Sequence, residues 1–203
     1  VSSQPGHQQQ KSEKARQAIC DAAISSLAEV GYSDTSLNRV ASAAGFSKGA
    51  LQHHFPNKED LIAATVDKLL LRTFHTTSRN PPNSVSEALM QAWSKYINTP
   101  AYRALMEILS AARTDKPLQL RISGQLKDWG RRMDRQSLEQ YEAVSGDPDD
   151  VIALINMNRS FMRGLLIQEQ YGITPEAEQR YVEKWIELIS PQLRLRTVDS
   201  NAK

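Results

Sequence analysis

Helix caps punctuate this chain more regularly than any other signal. Ser47 and Asn57 each stand before an apolar pattern, and Ser84 with Glu87 forms a capping box. Asp147-Pro148-Asp149-Asp150 and Thr174-Pro175-Glu176 each combine a cap, a first-turn proline and carboxylates that favour a helix N-terminus. Between these signals apolar residues recur at helical spacing, and no stretch alternates convincingly as a strand does. A first helix is expected from about Ser12 to Val30 on Ala15, Ile19, Ala22, Ala23 and Leu27, with Gly31 placed to end it. Leu37, Val40, Ala41 and Ala44 mark a second, broken at Gly45; Leu51 and Phe55 mark a third, stopped by Pro56. A fourth runs through Leu61, Ile62, Val66, Leu69 and Leu70 towards Phe74. Five more are expected: from Ser84 to about Asn98, from Pro100 to near Thr114, from Pro117 to near Gly146, from Pro148 to Gly172, and from Pro175 to Pro191. The expectation is an all-α chain of about nine helices.

Two short helices joined at Gly45 make a helix-turn-helix, in which the second helix enters a DNA major groove. At about 100° per residue, Lys48, Gln52, Gly49 and His53 spread over about 140° of the third helix, while Leu51 and Phe55 fall on the other side. One face therefore docks on its neighbours. The other offers a cation, an amide, a bare backbone and an imidazole, groups suited to base edges and phosphates. Gly49 removes a side chain where the helix start must approach another backbone, and Ser47 lies where free amides attract phosphate.

Charge placement agrees. Net charge is only +2, yet Thr35 to Lys58 is a 24-residue window without Asp or Glu that holds Arg39, Lys48, Lys58, His53 and His54. Residues 1–80 carry 9 basic and 7 acidic side chains, and residues 81–203 carry 16 of each. A carboxylate beside a phosphate backbone is repulsive, so the acid-free window points to nucleic acid more sharply than the total charge does.

Other classes find little support. One cysteine, Cys20, excludes an internal disulfide and a multi-cysteine zinc site, and implies a reducing, cytoplasmic setting. His53 and His54 are adjacent on a helix and point about 100° apart, so no metal is expected. No apolar run is long enough to span a bilayer, and Val1 to Ser12 lack a signal core, so no membrane partner is expected. Val1 in place of Met suggests a processed or trimmed N-terminus. There is no Gly-rich phosphate loop, HExxH or Gly-x-Ser-x-Gly, so neither an enzyme nor a cofactor is expected. The Gln-rich residues 1–11 read as a disordered arm, 12–72 as the DNA-binding domain and 73–203 as a larger body, with Pro81-Pro82 in the boundary.

The run from Thr35 to Phe55 (TSLNRVASAAGFSKGALQHHF), closed by Asn57-Lys58-Glu59-Asp60-Leu61, resembles the DNA-binding signature of the TetR family of one-component transcriptional regulators. The resemblance covers about residues 12–72. It implies phosphate contacts at Thr35 and Ser36, base or backbone contacts at Asn38 and Arg39, and recognition positions at Ser47, Lys48, Gly49, Gln52 and His53. His54 and Lys58 match positions that hold phosphates. Gln52 departs from the family pattern, which usually has Tyr there.

By the same resemblance the middle helices enclose an effector cavity and the last two form a dimeric four-helix bundle. Trp93, Tyr96, Tyr102, Met106, Trp129, Met133 and Phe161 are the candidates for lining an apolar pocket, although core packing explains such spacing equally well. Val151, Leu154, Asn158, Met162 and Leu165 form one stripe, and Tyr181, Trp185 and Leu188 another, expected to meet a second copy. The expected function is a homodimeric repressor, bound to a palindromic double-stranded DNA operator and released by a small-molecule effector. The alternative is an adaptor protein that keeps the helix-turn-helix only as scaffold.

Overall fold

A computed structural model describes residues 6–73 and 81–196. It contains nine α-helices among the described residues. They are α1 (His7–Asp34), α2 (Leu37–Ala44), α3 (Lys48–His54), α4 (Lys58–Arg72), α5 (Val85–Ala92), α6 (Pro100–Ala112), α7 (Lys116–Gln140), α8 (Pro148–Gln168) and α9 (Pro175–Ile189). A π-helical turn, Trp93–Ile97, continues α5. The expected arm is corrected from Gly6 onward: α1 begins at His7, because Gln and Lys are good helix formers even without a side-chain cap. Residues 1–5, 74–80 and 197–203 lie outside the described residues, and with them the start of the expected arm and part of the expected boundary. Gly31 interrupts the helix where expected: at φ 74°, ψ 180° it is non-helical and kinks the chain, and a further short helical stretch within α1 reaches Asp34. None of these helices is long and apolar enough to cross a membrane.

The chain divides into two compact units. The first takes in residues 6–73 and 100–126, so α6 and the start of α7 pack with the N-terminal helices. Its core joins Ile19, Cys20 and Ala23 of α1 to Val40 and Ala41 of α2, Leu51 and Phe55 of α3, and Leu61 of α4. Phe55 is 1% exposed and Leu51 0%, and each such burial contributes roughly 1.5–3 kcal/mol. The Cys20 thiol is pushed up by burial, which keeps it protonated and inert.

The second unit takes in residues 81–99 and 127–196 and is built on contacts of α9 with α5 and α8. It also holds a feature that periodicity misses. The seventh helix ends at Gln140, and β1 (Tyr141–Ala143) pairs antiparallel with β2 (Leu193–Leu195), with Tyr141 opposite Leu195. Three residues are too few to display alternation, and the partner strand is distant in sequence.

The self-association stripe on α8 needs correction. Val151, Asn158, Met162 and Leu165 are buried within this unit, so their side chains are not available to a second copy. Asn158 Oδ1 accepts a 3.1 Å hydrogen bond from Trp185 Nε1, and Phe161 stacks on the same indole with ring centroids 4.7 Å apart. The exposed apolar face lies one step round the helix. There Met157 is exposed, Leu154 and Phe161 are half-buried, and the exposed Tyr181 and Leu188 flank the half-buried Trp185 on α9.

The candidate pocket residues divide between the units: Tyr102 and Met106 belong to the first, and Trp93, Tyr96, Trp129, Met133 and Phe161 to the second. Tyr102 and Trp93 are buried, and Met106, Tyr96 and Met133 are half-buried. Trp129 has the guanidinium groups of Arg159 and Arg163 each 5.9 Å from its ring centroid.

Candidate nucleic-acid interface

Local capping builds the recognition segment. Ser36 Oγ accepts the Arg39 amide at 3.2 Å to start α2. Gly45 ends it at φ 75°, ψ 25°, a left-handed conformation that glycine adopts without steric cost, and the Phe46 amide reaches back to the Ala41 carbonyl at 2.9 Å. Ser47 Oγ then accepts the Ala50 amide at 3.2 Å and starts α3, and Asn57 Oδ1 accepts the Asp60 amide at 2.8 Å to start α4. Each cap contributes about 1 kcal/mol, so the turn is specified within a few residues.

Leu51 and Phe55 point inward, and Lys48, Gly49, Gln52 and His53 are exposed on the other side of α3. Among the described residues Lys48 and Gln52 have no hydrogen bond or ion pair, and an added Cβ at Gly49 meets nothing within 4 Å. The protein's own packing therefore leaves room for a side chain at Gly49. Ser36, Asn38 and Arg39 are exposed at the start of α2. The two cap hydroxyls accept amide hydrogens and keep their own O–H free to donate.

Other expected residues sit differently. Thr35 is 1% exposed; its hydroxyl donates to the Gly31 carbonyl at 2.8 Å and lies 3.0 Å from Ser26 Oγ. Its side chain closes the kink after α1, which removes it from the surface. Lys58 Nζ donates to the Tyr32 carbonyl at 2.6 Å and lies 4.0 Å from the Tyr32 ring centroid. Desolvation lowers the Lys58 ammonium, partly offset by Glu59, Asp115 and Asp34. The Lys58 cation is thus engaged inside the module. His54 is half-buried, and desolvation, His53 and Arg16 hold its imidazole below the usual range.

Three residues outside the motif take part in its geometry. Arg16 of α1 donates to the His54 carbonyl at 2.9 Å and lies 4.3 Å from the Phe55 ring centroid, fixing the end of α3. Glu29 of α1 places a carboxylate 3.7 Å from Arg39, so an acid absent from the 24-residue window reaches the surface from elsewhere. Tyr32 receives Lys58. Nothing in the local sequence marks these three, because their partners are distant along the chain.

The family described as "Bacterial regulatory proteins, tetR family" matches residues 19–65, which run from the buried face of α1 to the middle of α4. An uncharacterised HTH-type transcriptional regulator of Mycobacterium tuberculosis is 27% identical over 197 residues, 92% of this chain and 98% of that one. The biofilm operon icaADBC negative transcriptional regulator IcaR of Staphylococcus epidermidis is 22% identical over 181 residues, 87% of this chain and 97% of that one. The fold is shared with a TetR-family regulator from Rhodococcus sp., at TM-score 0.64 and 19% identity over 87% of this chain and 99% of that one. It is also shared with NalD, the secondary repressor of the MexAB-OprM multidrug efflux pump in Pseudomonas aeruginosa, at TM-score 0.59 and 19% identity over 93% and 99%. The helix-turn-helix lies inside the residues matched to the TetR family, the relatives are named as HTH-type transcriptional regulators, and the fold is shared with TetR-family regulators; the chain thus carries a TetR-like DNA-binding segment at residues 19–65.

Proposed function

We propose that this regulator is a homodimeric, ligand-responsive repressor that binds a palindromic operator with one α3 in each of two major grooves. The observation that carries the reading is the exposed face of Lys48, Gly49, Gln52 and His53, held by the Leu51 and Phe55 anchors and free of carboxylates on its own helix. Lys48 and Gln52 read base edges there, and Gly49 admits the DNA backbone. Ser36 and Ser47 donate to phosphates, and Asn38, Arg39 and His53 contact bases or backbone. Residues 12–72 form the DNA-binding domain. Residues 73–203 carry the effector pocket and the dimer contact, for which Leu154, Met157, Tyr181, Trp185 and Leu188 supply the accessible apolar surface. Repression accords with IcaR, a negative transcriptional regulator, and NalD, a secondary repressor. A small-molecule effector accords with EbrR, a structural neighbour of TM-score 0.57 described as a multidrug binding protein complexed with ethidium. The setting is the cytoplasm. Effector and operator then oppose each other through a reciprocal coupling of about 1–3 kcal/mol.

The test is a fluorescence-anisotropy titration with DNA from upstream of the protein's own gene, beside a scrambled duplex, at two salt concentrations. Tighter, salt-sensitive binding to the native duplex at two protomers or a multiple per site is expected. It should be lost in the Lys48→Ala, Gln52→Ala double variant. Unchanged affinity in that variant overturns the recognition assignment, and absence of binding to any duplex at low salt favours an adaptor.

A further inference from the structure

The first unit contains a polar cleft of about 380 Å³ between α1, the α3–α4 turn, α4 and α7. Ligand-sized clefts of this kind span roughly 300–1,000 Å³. Its charged and polar walls are Arg16, His54, Asp60, Asp67, Arg121 and Gln125. Most of these groups already have partners. Arg121 and Asp60 form an ion pair at 2.5 Å, and Arg16 is turned to the His54 carbonyl and the Phe55 ring.

Two acceptors in the same cleft are left over. Gln125 Oε1 is buried and accepts no hydrogen bond. Asp67 has no ion pair or hydrogen bond among the described residues, and desolvation raises its carboxyl above the ordinary value. A buried acceptor without a donor typically costs about 1–3 kcal/mol, and an unpaired carboxylate in the same cleft disfavours an anionic occupant. Desolvation, His53 and Arg16 lower the His54 imidazole and so disfavour its charged form. A metal ion is a poor fit, because no group of three or more His, Cys, Asp or Glu side chains comes together among the described residues.

We propose that this cleft is a second ligand site, separate from the effector pocket, that takes a small organic cation carrying N–H donors, an alkylammonium or a guanidinium, on the Asp67 carboxylate and Gln125 Oε1. The donors supply the hydrogen bonds these two groups lack, and the positive charge balances Asp67. Quaternary ammonium ions carry the same charge without N–H donors and do not satisfy Gln125. This site does not depend on the operator reading, since its occupancy is measured on the free protein.

The experiment is calorimetric titration of the full chain with agmatine, which carries an ammonium at one end and a guanidinium at the other. Tetramethylammonium serves as the donor-free comparison. Saturable binding of one agmatine per chain is expected, with at least a tenfold loss in Asp67→Asn and in Gln125→Leu and none of the same binding with tetramethylammonium. Asp67 is exposed, so its substitution leaves folding intact, and a thermal melt of each variant checks this. Absence of saturable agmatine binding overturns the site. So does equal binding in folded Asp67→Asn, which locates the ligand elsewhere, or equal binding of tetramethylammonium, which removes the role of Gln125.

Discussion

Lys58 Nζ lies 4.0 Å from the Tyr32 ring centroid and 2.6 Å from the Tyr32 carbonyl, so one ammonium holds the start of α4 against the kink at the end of α1. The same tyrosine donates its phenol to Asp115 at 3.4 Å and its amide to Glu107 at 3.3 Å. Lys58→Met keeps the aliphatic stem but removes the cation and the donor. A loss of about 1–2 kcal/mol is expected from urea unfolding, because the contact is half-buried and partly screened. Operator affinity should fall by no more than this loss of stability explains. A large affinity loss with unchanged stability returns Lys58 to the phosphate contacts.

Gly49→Ala separates folding from recognition. The new methyl meets no atom of the protein within 4 Å, and Ala is the better helix former, so stability is expected to stay level or rise by up to about 1 kcal/mol. Operator affinity is expected to fall at least tenfold, read by anisotropy beside a thermal melt. Full affinity in the variant removes the close-approach role of Gly49.

Glu29→Gln frees Arg39 from the 3.7 Å ion pair. Both side chains are exposed, and such pairs are worth about 0.2–1 kcal/mol, so a gain in operator affinity of up to about fivefold is expected. The gain should shrink as salt rises. A loss of affinity means that Glu29 positions Arg39 instead of competing for it.

Burial pushes the Tyr141 phenol up to about 12 from an ordinary 10.0. A raised folded value means that the stabilisation is complete below the unfolded value and is lost as pH rises from about 10 through 12. Two units correspond to about 2–3 kcal/mol. Urea unfolding across that alkaline range is expected to lose much of its pH slope in Tyr141→Phe. An unchanged slope assigns alkaline sensitivity to other groups, Tyr32 first among them.

Asn158→Leu tests the second unit. The substitution removes the acceptor of Trp185 Nε1 and leaves the half-buried indole donor unpaired beside the Phe161 stack. A loss of about 1–3 kcal/mol is expected, with a shifted tryptophan emission. Unchanged stability and emission mean that the pair forms without this hydrogen bond.

The α2–α3 segment is legible in the sequence because its determinants are local. Ser36, Gly45, Ser47 and Asn57 act within three or four residues of themselves, and the Leu51–Phe55 spacing orients the exposed face. Thr35 and Lys58 are less legible, since their partners Ser26 and Tyr32 are brought to them by the packing of α1. The α8 stripe illustrates a different limit. Periodicity finds an apolar arc wider than one contact face, and a single polar residue, Asn158, reads as surface until the Trp185 indole lies across it. Which side of the arc is inward depends on α9, twenty-seven positions along the chain at Trp185. The three-residue strands carry too little pattern to be seen at all.

The pairing of Tyr141 with Leu195 has a kinetic consequence. Contacts of α2 with α1 and α3 join elements adjacent in sequence, whereas this ladder encloses α8 and α9 in the loop that it closes. Closing a loop of that length carries an entropic cost that grows only slowly with further length, and non-local contacts of this kind slow folding. The ladder is therefore expected to close late in folding. Disturbing it should accelerate unfolding of the second unit while leaving its folding rate nearly unchanged.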